Sequence, residues 1–182
     1  MPTYKRSRIS GGTYFFTIVT YQRKPILVSP QAREVLRYAW KDVQKRFPFT
    51  TDAICLLPEH IHIIMTLPEN DHDFSKRISE IKRLFSRRIA SYIDIQKPEN
   101  HSRMKRRESA VWQRRFWEHT IRDEIDLQHH MNYVHYNPVK HGLVQNVCDY
   151  PWSSFHRYVK LGYYEREWGS DVNTESFIGF GE

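Results

Sequence analysis

The hydrophobic patterning of this 182-residue chain predicts an α+β fold: a ferredoxin-like split βαβ unit with an antiparallel sheet, plus an additional C-terminal helix and tail. Two observations carry the prediction. β-Branched and aromatic runs alternate with runs spaced by three and four, in the order strand, helix, strand, strand, helix, strand, helix. The second and third strands are joined only by Pro58-Glu59-His60, which suits antiparallel neighbours. The length fits one domain, 1–182, with no visible repeat.

Each element has its own signal. Gly11-Gly12 precedes residues 13–21 (TYFFTIVTY), which read as a strand after a turn. Val35, Leu36, Ala39, Trp40 and Val43 recur at helical spacing over 31–46, and Pro48 closes that run. Residues 53–57 and 61–67 are the next two strands. Phe74, Ile78, Ile81, Phe85 and Ile89 step by three and four and mark a second long helix. Residues 94–108 are polar and aperiodic and read as a mobile loop. The aromatic run 111–117 reads as a strand. A helix over 124–139 is bent or ended by Asn137-Pro138. The tail, 145–182, carries Tyr150, Trp152, Phe155 and Tyr158 in one short helix packed on the body. A sheet of this order has helices on one face and leaves the other open for a ligand.

Composition narrows the function classes. Hydrophobic residues make up 40%, enough for a core, and no apolar run approaches the roughly 18 residues of a membrane span. Basic residues in 1–10 lack the apolar stretch of a signal peptide behind them. Only Cys55 and Cys148 are present, which excludes a disulfide scaffold and points to a reducing cytoplasm. The 28 Lys and Arg against 21 Asp and Glu give +7, which favours polyanionic partners, nucleic acid first. The basic residues are grouped: Lys5, Arg6 and Arg8; then Lys76, Arg77, Lys82, Arg83 and Arg87; then Arg114 and Arg115. These are the candidate DNA contacts. Tyr14, Trp112, Phe116 and Trp117 are either stacking platforms for bases or core.

Two constellations carry chemistry. In Pro58-Glu59-His60-Ile61-His62-Ile63-Ile64, strand periodicity puts both imidazoles on one face. They are either two hydrogen-bonded histidines or a two-point grip on an exchangeable metal ion, completed from elsewhere. In the late helix His129, Tyr133 and Asn137 are four apart on one stripe, next to the apolar stripe of Leu127, Met131 and Val134. Asn137 offers an oxygen to a metal and Tyr133 a hydroxyl one turn away; the alternative is a packing tyrosine and a helix cap.

Four segments together resemble the Y1 tyrosine transposases of the HUH type, and most closely the REP-associated group. They are GGTYFFTIV at 11–19, LPEHIHIIMTLPE at 57–69, WQRRFWEHTIRDEIDLQHHMNYVHYNPVKHGLV at 112–144 and DYPWSSFHRYV at 149–159. The resemblance implies that the added C-terminal helix is a catalytic tyrosine helix. It implies single-stranded DNA cleavage beside REP-type hairpins, with Mg²⁺ or Mn²⁺ held by His60, His62 and Asn137. Tyr133 corresponds to the nucleophile that becomes joined to the 5′ phosphate, and Tyr136 is its rival. His129 and His135 are the candidate proton acceptors. A monomer is favoured over a helix-exchanging dimer. Competing readings are a hairpin-binding protein without catalysis and a phosphodiesterase that activates water.

Overall fold

The computed structural model describes residues 9–94 and 110–169. The expectations for Lys5, Arg6 and Arg8, for the loop at 95–108 and for the tail beyond 169 lie outside the described residues. The elements are β1 (Thr13–Val19), α1 (Pro30–Arg46), β2 (Thr50–Leu56), β3 (His60–Thr66), α2 (Phe74–Ile89), β4 (Trp117–Thr120), α3 (Glu124–Lys140) and α4 (Phe155–Lys160), with short 3-10 turns at Tyr21–Arg23 and Val147–Asp149. The strand order is β2-β3-β1-β4 and every neighbouring pair is antiparallel, as the split βαβ reading requires. Side-chain caps start the three long helices. Ser29, ahead of Pro30, accepts from the Ala32 amide, Asp73 from Lys76 and Asp123 from Asp126.

Alternation along β1 and β3 sorts the core into two layers. Tyr14, Phe16, Ile18, Ile61, Ile63 and Met65 face α1 and α2. Phe15 and Ile64, with Ala53 and Cys55 of β2, face α3 and the segment after it. The second sheet face is therefore covered rather than open, which corrects the sequence expectation. The reason is visible in β3, which is buried at six consecutive positions from His60 to Met65. A strand apolar on both sides needs a layer on each.

Two boundaries also differ. The fourth strand is Trp117–Thr120, displaced from the expected 111–117. Trp112 makes a single bridge to Thr20, and its ring lies 5.1 Å from Phe85; Phe116 lies 5.7 Å from Phe16. The aromatic richness there marks burial, not extended pairing. Tyr14 is also fully buried, so among the four candidate platforms only Trp117 is substantially exposed. The helix does not end at Asn137-Pro138 but runs through Pro138 to Lys140. The proline omits one ladder bond; His141 and Gly142 then close the helix by donating to Asn137 and Val139, with Gly142 at φ +65°.

Candidate active site on the helix-covered face

His60 opens β3 opposite Val19, and His62 stands opposite Thr17. Both imidazoles are buried. The His60 Nδ1 lies 2.9 Å from Glu59 Oε1 and the His62 Nδ1 3.0 Å from Thr17 Oγ1. These partners fix both rings with Nε2 turned to a common point, the two Nε2 atoms being 3.1 Å apart. Two imidazole nitrogens about 2.1 Å from one ion at a right angle stand about 3 Å apart. The pair therefore fits a shared divalent cation on the strand side.

The facing helix supplies the other half. The Tyr133 ring is fully buried, 5.2 Å from the His62 ring and 5.8 Å from Phe15. Its hydroxyl accepts from Lys140 Nζ at 3.4 Å, and that ammonium lies 4.9 Å from the ring centroid. Asn137, one turn on, is also fully buried. Tyr136 turns away: its ring packs toward Trp168, at 6.5 Å, and joins the cluster around Val147. His129 is exposed. His135 is sealed on another side of the helix, 2.9 Å from Ser154 Oγ, and burial pushes its pKa down to about 3. His129 stands at the surface one helical turn before Tyr133, and His135 is engaged with Ser154. The structure brings Lys140 to the Tyr133 hydroxyl, and His141 to 5.0 Å from the His60 ring. The seven-residue step from Tyr133 to Lys140, two helical turns, carried the signal for Lys140 once Pro138 is read as non-terminating.

The N-terminal end of α3 is fastened to β4 by a cluster the motifs did not reveal. Asp126 accepts from His119 Nε2 at 2.8 Å and from the Arg122 amide and Nε at 3.0 and 3.2 Å. The His130 Nδ1 lies 3.1 Å from its other oxygen. Burial pulls the Asp126 pKa up, but His119 and Arg122 outweigh it and hold it at about 2. These ligand-type atoms gather within 4.8 Å of one another. The two imidazoles, however, stack at 4.4 Å with an interplanar angle of 16°. Imidazole lone pairs lie in the ring plane, so nearly parallel rings cannot both aim at one ion. The arrangement acts as a hydrogen-bonded clasp on the tyrosine helix.

The expected cationic contacts divide. Arg77 is corrected: its side chain is buried, donating to the Pro48 and Asp73 carbonyls and pairing with Asp71 at 2.7 Å. It ties α2 to the loops around it and is not placed to meet a phosphate. Lys82 donates to the Gln113 and Arg114 carbonyls, and Arg83 pairs with Glu80. Lys76, Arg87, Arg114 and Arg115 are exposed. α2 packs on the sheet face opposite His60, His62 and Tyr133, so its cations stand across the sheet from them.

The four-stranded antiparallel sheet carries the convergent His-x-His pair and is faced by the helix of Tyr133, and the family model of IS200-like transposases matches residues 8–137. The chain belongs to that family, among the REP-associated tyrosine transposases. A REP-associated tyrosine transposase of Escherichia coli is 42% identical over 97% of this chain and 96% of its own. A Haemophilus influenzae protein assigned to the same group is 47% identical over 96% and 97%. A solved REP-associated tyrosine transposase, bound to a REP hairpin, superposes with a TM-score of 0.79 at 41% identity, covering 95% of this chain and 94% of that one. Among the described residues no helix is long and apolar enough to cross a membrane.

Proposed function

We propose that the chain is a metal-dependent single-stranded DNA endonuclease and strand transferase. It acts at REP-type hairpins through a 5′-phosphotyrosine formed on Tyr133. The observation that carries the reading is the juxtaposition of the two converging Nε2 atoms with the Tyr133 ring, 5.2 Å from His62. The hairpin comes from the solved relative, which is bound to one.

His60, His62 and Asn137 are the residues that would hold Mg²⁺ or Mn²⁺, with two imidazoles and a side-chain amide oxygen as donors. Such an ion supplies charge neutralisation at the scissile phosphate. Glu59 and Thr17, accepting from the two Nδ1 atoms, would leave each Nε2 as the ligand atom. Tyr133 attacks phosphorus: its hydroxyl proton leaves, an O–P bond forms, and the bond to the upstream 3′ oxygen breaks. That oxygen departs as a 3′ hydroxyl. The phosphotyrosine keeps the energy of the broken phosphodiester, so attack by a 3′ hydroxyl reverses the step without ATP. The Lys140 ammonium, beside the phenol oxygen, stabilises the charge that develops there. A monomer working in cis is the expected arrangement. The expected cell compartment is the cytoplasm, at the nucleoid when bound to DNA.

The experiment uses labelled single-stranded hairpins with and without Mn²⁺. A protein–DNA adduct that resists detergent, needs the ion and is lost in Tyr133→Phe is the expected result. Cleavage undiminished in Tyr133→Phe sinks the nucleophile assignment and favours water activation. Hairpin binding without any adduct favours the non-catalytic reading.

A further inference from the structure

Outside the histidine–tyrosine site, α1, the outer edge of β2 and the segment 151–157 enclose an open groove of about 710 Å³. Arg33, Arg37 and Lys41 line it from α1 at steps of four, which sets them in one row about 6 Å apart. Arg157 lines the opposite wall, donating to the Thr51 and Asp52 carbonyls. The Arg33 guanidinium lies 3.7 Å above the Trp152 ring, and Trp40 stands in the same wall. The lining holds these four cations and no acidic side chain. Arg37 and Lys41 are exposed and, among the described residues, make neither an ion pair nor a hydrogen bond. Its β2 wall, Ile54 and Leu56, belongs to the layer under α1 and α2, so the groove lies apart from the His60–Tyr133 face.

We propose that this groove binds single-stranded DNA, phosphates on Arg37 and Lys41 and an unpaired base against the Arg33–Trp152 stack. The charge selects a polyanion. A flat aromatic face capped by a guanidinium selects unpaired bases over a duplex, whose base faces are already stacked. The proposal builds on the reading of the chain as a DNA strand transferase and adds to it a binding surface remote from the reacting atoms.

The test measures anisotropy of a labelled 12-nucleotide oligothymidine with full-length protein in EDTA, so that no chemistry intervenes. Arg37→Ala/Lys41→Ala is expected to weaken binding about tenfold. The slope of log affinity against log salt should fall by about 1.4, at about 0.7 per lost phosphate contact. Both residues are exposed, and an unchanged melting temperature confirms an intact fold. Affinity and slope equal to wild type overturn the proposal. So does displacement by oligoglutamate at equal charge, which marks an acidic-peptide surface. The two readings separate cleanly. If no adduct forms on hairpins but oligothymidine binding depends on Arg37 and Lys41, the groove stands and the chemistry falls. If adducts form while the double variant binds oligothymidine normally, the groove alone falls.

Discussion

Replacing Asp126 by Asn removes the charge at the centre of the clasp while keeping its shape. The carboxylate is 9% exposed and serves His119, His130 and Arg122 together. Its pKa is lowered from 3.8 to about 2. At about 1.36 kcal/mol per pK unit, that shift corresponds to roughly 2–3 kcal/mol of stability. The sign follows from the lowered folded-state value. The contribution is complete above about pH 4, where the unfolded carboxyl is ionised, and is lost as pH falls through about 2. Asp126→Asn should therefore cost roughly 2–3 kcal/mol at pH 6, a melting-temperature loss of about 5–10 °C. The gap to wild type should close progressively between pH 4 and pH 2. Urea unfolding of both proteins at pH 6, 4 and 3 measures it. Because the clasp holds the helix that carries Tyr133, adduct formation should slow more than hairpin affinity falls. Equal stability of the two proteins at pH 6, or a gap independent of pH down to 2, refutes the reasoning.

Glu59→Gln weakens the acceptor on His60 Nδ1, so Mn²⁺ affinity by calorimetry should fall about 10–100-fold with the fold unchanged; unchanged affinity contradicts a metal role for the pair. Lys140→Ala should slow adduct formation about fivefold or more, since a cation next to the phenol oxygen contributes about 1 kcal/mol even at the dielectric of water. Lys140→Arg should restore part of the rate, and a loss of binding instead of rate would assign Lys140 to phosphate contact. Arg77→Met leaves the Pro48 carbonyl and Asp71 without their partner and should destabilise by about 1–3 kcal/mol in denaturant titration. If Arg77→Met instead folds normally and loses DNA affinity, the reassignment of Arg77 as structural is wrong.

Much of this protein is legible before any folding is considered. The two-residue step from His60 to His62 fixes both imidazoles on one strand face, and the four-residue step from Tyr133 to Asn137 fixes them on one helix face. Apolar spacing in α1 and α2 is equally local. What periodicity does not report is which layer a charged or aromatic side chain enters. Arg77 stands in a basic run with Lys76, Lys82 and Arg83, yet the loops holding Pro48 and Asp71 close over it. Trp112 and Phe116 carry strand-forming composition, yet they fill a core gap beside Phe85 and Phe74.

The sequence by itself determined the order of the elements and which side chains share one strand or helix face, because both follow from spacings of two to four residues along one chain segment. Tertiary structure alone decided that the second sheet face is occupied by α3 and that the Tyr133 ring meets His62. It also set Arg33, Arg37 and Lys41 opposite Arg157 and Trp152. Those pairings join residues tens to more than a hundred positions apart. They are selected by packing two apolar sheet faces at once, a condition no local pattern encodes.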